Sequence, residues 1–230
     1  MLAGPRARFY LAAAAGVAAA ACHAPPAPVP AGAFAPATRA QAEALVAATV
    51  PAGRELLAIH WAYDNGDAPV TGRGAVRMAP PDSLRLDVGV PVVGRATLVV
   101  AGDTAWSEPG RLAPELAPGR ALLWAMFGVV QLPPEAEAFE LGTTAGGERL
   151  LRFTRADGAR ATLVLRGGRL VGAVAERGSR LVGRLALTRD ASGAIVRAET
   201  VDEARGVRFV VTVDHREASG PFPREIWIHP

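Results

Sequence analysis

The sequence has 230 residues, of which 50% are apolar and 20% are charged, and its formal net charge at pH 7 is +3. This length suits one domain with short flanking segments, and the apolar content excludes a chain that is disordered throughout. All basic residues are arginines, interspersed with acidic residues instead of forming a basic patch, so we expect no nucleic-acid partner.

Residues 1–21 have the three parts of a secretory signal peptide. Arg6 and Arg8 form a short positive region, an apolar run follows over 9–17, and four alanines precede Cys22. The apolar run is too short to cross a bilayer comfortably. The sequence therefore predicts export and removal of residues 1–21, and the loss of the two arginines lowers the formal net charge from +3 to +1.

Cys22 is the single cysteine of the chain and follows directly after the small residues. This arrangement resembles the lipobox of bacterial lipoproteins, in which the cysteine carries a diacylglycerol whose chains, such as palmitate, anchor the protein. Ala19 stands where that motif prefers leucine, and Ala19 and Ala21 would also suit an ordinary signal peptidase. The resemblance implies a lipid anchor at Cys22. Because His23 follows instead of aspartate, it also implies the periplasm-facing side of the outer membrane over the inner membrane or the free periplasm.

The segment after the cysteine, 22–37, is rich in proline and alanine. Such a composition cannot form a helix or a central strand, so it predicts an extended tether. The domain is then predicted to occupy 38–230. It opens with an amphipathic helix, for which Thr38 is the expected N-cap and Pro51 the stop.

After this helix the spacing of apolar residues changes from helical to alternating. Strands are predicted at 57–63, 70–78, 84–90, 95–101 and around Trp106, and then at about 148–155, 160–166, 169–176, 180–189, 194–202 and 206–215. The first two are joined by a hairpin turn at 64–67. About eleven strands predict a mainly β (α+β) fold, namely a single open, strongly curved antiparallel β-barrel.

The alternation is interrupted between the two groups of strands. Residues 112–130 have helical spacing and are apolar on nearly every side, and prolines divide and close the segment. A helix of this kind must be buried or must cover an apolar surface. Two interpretations remain open: the segment completes the core of a filled barrel, or it is a helical lid over a cavity that holds acyl chains.

The sequence contains no recognisable catalytic constellation. His60 and His215 lie in predicted strands without acidic residues at metal-ligand spacing, and the serines lie mostly in turns, with no nucleophile elbow. The 64–67 turn lacks the distal glutamate of a calcium loop. The glycines at 72 and 74 are followed by a strand and not by the N-terminus of a phosphate-binding helix. We therefore expect neither an enzyme nor a metal or cofactor site.

The order of these features resembles the LolA/LolB family of lipoprotein carriers, of which LolB is itself an outer-membrane lipoprotein. The resemblance covers about 38–215. It rests on residues 82–87 followed by Pro-Val-Val-Gly at 91–94, on the strand from Thr97 to Val100, and on 122–129, which is similar to the family's central helical segment. It implies lipoprotein localisation or lipid transfer by a monomer that binds acyl chains or lipidated proteins, with a periplasmic carrier protein as a partner.

Seven apolar residues are the candidates for the cavity, two from strand parity and the others from position. They are Trp61, Leu86, Leu98, Trp106, Trp124, Met126 and Phe127. In LolB-like carriers a Pro-Leu-Gly loop exposes a leucine to membrane or cargo, and Val93, with Val92 beside it, occupies that position here. The sequence leaves open an alternative function, a structural or assembly lipoprotein of the envelope whose barrel is filled by its own side chains and which binds a protein partner.

Overall fold

The computed structural model describes residues 32–67, 69–90, 94–102, 104–108 and 120–228. Cys22, Val92 and Val93 lie outside the described residues, as does the 109–119 part of the predicted helical segment. None of the described helices combines the length and the hydrophobicity that a bilayer-spanning helix requires.

The described residues form a mainly β fold with thirteen strands in one sheet and few helices. The strands are β1 (Gly32–Ala37), β2 (Arg54–Asp64), β3 (Val70–Ala79), β4 (Ser83–Val90), β5 (Gly94–Ala101), β6 (Thr104–Glu108), β7 (Ala136–Thr144), β8 (Arg149–Arg155), β9 (Ala159–Arg166), β10 (Arg169–Arg177), β11 (Arg180–Arg189), β12 (Ile195–Asp202) and β13 (Val207–Ser219). The α-helices are α1 (Arg39–Val46) and α2 (Arg120–Met126), and short 3-10 helices span Ala47–Thr49 and Arg224–Trp227.

The sheet is antiparallel and open. Its order is β1-β7-β8-β9-β10-β11-β12-β13-β2-β3-β4-β5-β6, so β1 and β6 are the two edges. Nearly all neighbours are consecutive in sequence because tight turns join them. The exceptions are the pairing of β1 with β7 and the long pairing of β13 with β2, which joins the two groups of strands.

The expected number of about eleven strands is wrong, and the two additional strands, β1 and β7, pair with each other. β1 comprises the last residues of the predicted tether. Its Pro36 lies opposite Glu140 at the edge of the sheet, where a strand tolerates proline because one side of the strand has no partner. β7 follows Pro133 and Pro134 and has little alternation of its own. Neither strand shows a period-two pattern, so neither was predicted.

The predicted N-terminal helix is confirmed. The Thr38 hydroxyl accepts a hydrogen bond from the Gln41 backbone N–H (3.2 Å), and the Thr38 N–H donates to Gln41 Oε1 (2.8 Å), which forms a capping box. The chain continues from α1 into the 3-10 helix that ends at Thr49, before Pro51. This cap fixes where the chain turns from the edge strand β1 onto the sheet.

One face of the sheet, which carries Leu84, Leu86 and Val88 on β4, is called the inner face; the opposite face, with Arg85 and Asp87, is the outer face. A single cluster of buried apolar side chains includes residues of β2 to β5, of β7 to β13 and of both α-helices. Because strands far apart in the sheet order contribute to one cluster, the sheet bends around it. The core therefore lies on the inner face.

The helical segment was predicted over 112–130, but the helix described is only Arg120–Met126, followed by a turn and extended chain. It packs against β11 and β12, and every residue from Leu123 to Val130 is buried. The lid is not confirmed. In the described residues this segment, 120–130, called the central segment, fills the inner side of the sheet.

Candidate functional site

Six of the seven predicted cavity residues meet on the inner face. Trp61, Leu86, Leu98, Trp124, Met126 and Phe127 all belong to the one buried cluster. The most accessible of them, Leu98, is 8% exposed, and Trp124 is fully buried. Six side chains that were predicted from sequence to share a cavity are therefore neighbours in the structure, although they come from four elements, β2, β4, β5 and the central segment.

Trp61 owes its position to the strands on both sides of it. It lies opposite Val211 of β13 and Gly72 of β3, and its ring centroid is 6.4 Å from that of Phe209. Because residue 72 has no side chain, the indole can lie against the β3 backbone. This arrangement places a large aromatic surface in the middle of the inner face.

The position of Trp124 is fixed by the turn that ends α2. The N–H groups of Phe127 and Val129 donate to the Trp124 carbonyl at 3.0 and 3.1 Å. Gly128 has a φ of +83°, and a Cβ there would lie 2.7 Å from Ile195 Cδ1. The left-handed conformation and the close approach to β12 both require glycine. The central segment is joined to the first helical region by a hydrogen bond from the Val130 N–H to Thr49 Oγ1 (3.0 Å).

Two polar atoms on this apolar face have no partner. The indole Nε1 atoms of Trp61 and Trp124 are both buried without a hydrogen-bond acceptor among the described residues. A buried donor without an acceptor has a free-energy cost of about 1–3 kcal/mol, and most buried indole N–H groups find a partner. Both indoles could donate to a carbonyl, ester or carboxylate oxygen of a bound molecule.

Trp106 lies on the outer face, contrary to the prediction that it lines the cavity. It is directly opposite Val99, whereas its neighbour Ser107 is opposite Leu98 of the inner cluster. Its indole Nε1 donates to the carbonyl of Trp227 at 3.4 Å. The sequence argument failed because β6 is too short to show alternation, so its parity is set by the pairing with β5.

A charged network on the outer face was not identified as a site from the sequence. Asp87 is 4% exposed, and its carboxylate accepts hydrogen bonds from Arg77 (2.6 Å), Arg85 (2.9 and 3.0 Å) and Thr97 (2.8 Å). Burial by itself raises the pKa of Asp87, but the hydrogen bonds from Arg85 and Thr97 and the nearby charges of arginines hold it below its ordinary value. Arg85 also donates to the Ile226 carbonyl (2.7 Å), which ties the C-terminal segment across β4 and β5.

His60 contacts an acidic residue that is far from it in sequence. Its Nδ1 lies 2.6 Å from Asp214 Oδ2, because β2 pairs with β13, and its Nε2 accepts a hydrogen bond from Arg73 Nε (2.9 Å). Across the described ranges, no group of three His, Cys, Asp or Glu side chains is arranged to hold a metal ion.

Comparison with known proteins gives structural similarity at low sequence identity. No protein-family model matches the sequence, and no curated protein matches it. A LolA superfamily protein from Nitrosomonas europaea is similar in structure, with a TM-score of 0.53 at 12% identity over 84% of this chain and 99% of that chain. A second similar structure is that of an outer-membrane lipoprotein-sorting protein domain from Vibrio parahaemolyticus. It superposes on this chain with a TM-score of 0.57 at 10% identity, over 81% of this chain and 94% of that chain. The chain therefore has the LolA-like fold that its sequence resemblance implies.

Proposed function

We propose that this protein is a carrier anchored by acyl chains on Cys22 to the periplasm-facing side of the bacterial outer membrane. It binds an acyl chain or a lipidated protein between the inner face and the central segment. The observation that carries this proposal is the apolar inner face on which two buried indole N–H groups, of Trp61 and Trp124, have no acceptor in the described residues.

The apolar inner face offers a large driving force for a lipid ligand. Transfer of an acyl chain from water into such surroundings contributes about 0.8 kcal/mol per methylene, on the order of 10 kcal/mol gross for one long chain. The central segment fills this space in the described structure, so binding requires that it shift. The shift replaces one set of apolar contacts by another, which makes its net cost smaller than exposure of the same side chains to water.

The two indoles provide the polar contacts that such a ligand needs. Ester oxygens and the oxygens of an ionised carboxylate, at the head of an acyl chain, accept hydrogen bonds and donate none. A hydrogen bond from either Nε1 would satisfy a donor that is otherwise unpaired, at a net gain of about 1 kcal/mol. Trp61 and Trp124 would therefore favour a ligand with oxygen atoms over a plain hydrocarbon.

Delivery needs no covalent chemistry, only exposure and reburial of apolar surface, so we propose no enzymatic activity. Cys22 would keep the domain at the membrane through the 22–31 tether. Val92 and Val93 stand in the connection between β4, which ends at Val90, and β5, which begins at Gly94. We propose that they touch the membrane or the cargo. A periplasmic carrier protein would deliver this cargo to the domain.

One observation favours the alternative, a structural or assembly lipoprotein that binds a protein partner. Trp61, Leu86, Trp124 and Met126 are each at most 3% exposed and are packed in one cluster by protein side chains alone. A core that is complete in this way needs no lipid to fold.

Native mass spectrometry separates the two functions. We would purify the full chain in mild detergent, alongside Cys22→Ser, which removes the anchor. For a carrier, both proteins retain a noncovalent lipid that denaturation releases, and only the wild type has additional covalent acyl mass. If Cys22→Ser holds no lipid and takes up no fluorescent fatty acid, the carrier proposal is wrong and the filled scaffold is favoured.

A further inference from the structure

A cleft with a volume of about 360 Å³ lies at one end of the inner face. At this end β2, β10 and β12 begin and β11 and β13 end, so five neighbouring strands meet at one rim. The charged side chains in its lining are three arginines and one glutamate, namely Arg169, Arg189, Arg216 and Glu55. These arginines come from three different strands, and only the sheet order brings them together.

The positive charge of this cleft exceeds its negative charge. Arg216 is paired with Glu55 at 2.5 Å. Arg189 donates to the carbonyl oxygens of Gly193 (2.8 Å) and Leu170 (2.9 Å), which have no net charge. Arg169 makes neither an ion pair nor a hydrogen bond with any described residue. Two guanidinium charges, of Arg169 and Arg189, therefore lack a carboxylate partner within the described part of the chain.

Two N–H donors of this cleft are also unsatisfied. The Nε atoms of Arg189 and Arg216 are buried without a hydrogen-bond partner among the described residues. Burial lowers the pKa of Arg189, and the charges of Arg169 and Arg216 lower it further. Both effects are relieved by an anion, because it supplies opposite charge and oxygen acceptors at once.

The cleft also reaches the apolar interior. Phe127 and Ile195 line it, and Phe127 belongs to the buried cluster of the inner face. Arg189 Nη2 lies next to Gly128, where an added Cβ would be 3.1 Å away, so the guanidinium stands at the end of the central segment. Positive charge on one side and apolar surface on the other is the arrangement that an anionic amphiphile fits.

We propose that this cleft binds the phosphate group of an anionic glycerophospholipid, with the acyl chains entering the interior beside Phe127. The inference rests on the proposed carrier function and names its ligand class. The planar guanidinium fork matches phosphate oxygens in pairs. At about 30 Å³ per water, the cleft has the volume of roughly twelve waters, so it has room for the glycerol unit as well as the phosphate.

The test uses the full chain with Cys22→Ser, so that no acyl anchor contributes to binding. Dihexanoyl-phosphatidylglycerol, the neutral dihexanoylglycerol and inorganic phosphate are titrated separately by calorimetry. The informative variant is Arg169→Gln, because Arg169 is exposed and its guanidinium makes neither an ion pair nor a hydrogen bond with a described residue. The matched control is Arg180→Gln, which removes the same charge from an exposed position at the opposite end of β11.

We expect phosphatidylglycerol to bind more tightly than dihexanoylglycerol, and Arg169→Gln to weaken its binding about tenfold, the effect of one lost charged hydrogen bond. Arg180→Gln should bind like the parent. Equal affinities of the two variants overturn the site, and inorganic phosphate that binds as tightly as the lipid overturns the ligand assignment. If the protein is not a lipid carrier at all, the result differs from failure of the phosphate site alone, because dihexanoylglycerol then does not bind even the parent protein.

Discussion

The indole of Trp61 lies directly against the backbone of Gly72, its opposite residue in β3. A Cβ added to Gly72 would lie 2.8 Å from both Cε2 and Cζ2 of the indole and would overlap the carbonyl oxygen of Gly89 in β4. The absence of a side chain at 72 thus allows the largest aromatic residue of β2 to pack flat on the inner face. This contact connects three adjacent strands.

We predict that Gly72→Ala lowers the free energy of unfolding by about 1–3 kcal/mol, the usual cost of overpacking. The Gly89 oxygen belongs to the backbone and cannot rotate away, so β3 and β4 must separate locally. Denaturation in urea measures the change. The control is Gly89→Ala, whose Cβ would meet no atom closer than 3.6 Å and should cost little. Equal stability of the two variants would contradict the close packing of Trp61 on β3.

The Asp87 network makes a prediction about acid stability. Asp87→Asn leaves Arg77 and Arg85 without their buried carboxylate. It should lower the free energy of unfolding by an amount near the lower end of about 3–5 kcal/mol, because both arginines are partly exposed. The folded-state pKa of Asp87 is depressed. Its stabilisation is therefore fully present above the unfolded-state pKa of about 3.9 and is lost as the pH falls through the lower folded-state pKa.

Urea denaturation of Asp87→Asn and wild type at pH 7 and at steps below pH 4 measures this dependence. The difference between the two proteins should be constant near neutral pH and should shrink in acid. Asp67→Asn, at an exposed turn, removes the same charge without touching an arginine. If both substitutions have equal effects at every pH, the buried network does not stabilise the fold.

Strand parity was the part of the fold that the sequence predicted best. On β4 the apolar Leu84, Leu86 and Val88 alternate with Arg85 and Asp87, and the structure places them on the inner and outer faces accordingly. The pattern is clear because one face of this strand is apolar and the other is charged. The sequence could not show that the charged face is itself covered, since the C-terminal segment that covers it is far away in the chain.

The predictions that failed all depend on how the strands pair, which a local sequence pattern does not show. Pro36 made β1 look like a tether, because proline is excluded from central strands but not from edges. Trp106 was assigned to the inner face although its strand has only five residues, which is too short to define a parity. The arginine cleft was not predicted at all, because Arg169, Arg189 and Arg216 become neighbours only through the pairing of β10 to β13.

Membrane attachment should depend on Cys22. We predict that Cys22→Ser, expressed with its own residues 1–21, moves from the membrane fraction to the soluble fraction, because a noncovalent association lacks the anchoring free energy of two or more acyl chains. Fractionation, with mass spectrometry of the N-terminal peptide, measures this. Ala19→Leu, which brings the motif closer to the preferred lipobox, should remain attached. A serine variant that stays in the membrane, with no acyl mass on the wild type, contradicts the anchor.

Val93 should contribute to membrane association and not to folding. We predict that Val93→Glu in the Cys22→Ser background leaves the thermal unfolding midpoint nearly unchanged and weakens sedimentation with liposomes, because an apolar side chain that touches lipid, as we propose for Val93, adds little to folding. The control is Val88→Glu on the neighbouring strand. Val88 is 3% exposed in the inner cluster, so a carboxylate there should cost several kcal/mol. Unfolding of Val93→Glu to the same extent would show that this residue is buried.

Substitution of Trp124 tests whether the inner face is a ligand site or only part of the core. Trp124→Ala should lower the free energy of unfolding by about 3–5 kcal/mol, because the residue is fully buried, and should also abolish binding of a fluorescent fatty acid. Leu150→Ala is the matched control, since Leu150 is equally buried but lies outside the inner cluster, on the other face of β8. It should lose stability, by about 2–5 kcal/mol, and retain binding. Trp106→Ala, on the outer face, should also retain binding. If all three variants bind the fatty acid like the wild type, the inner face is only a core, because loss of its central indole would then change folding and nothing else.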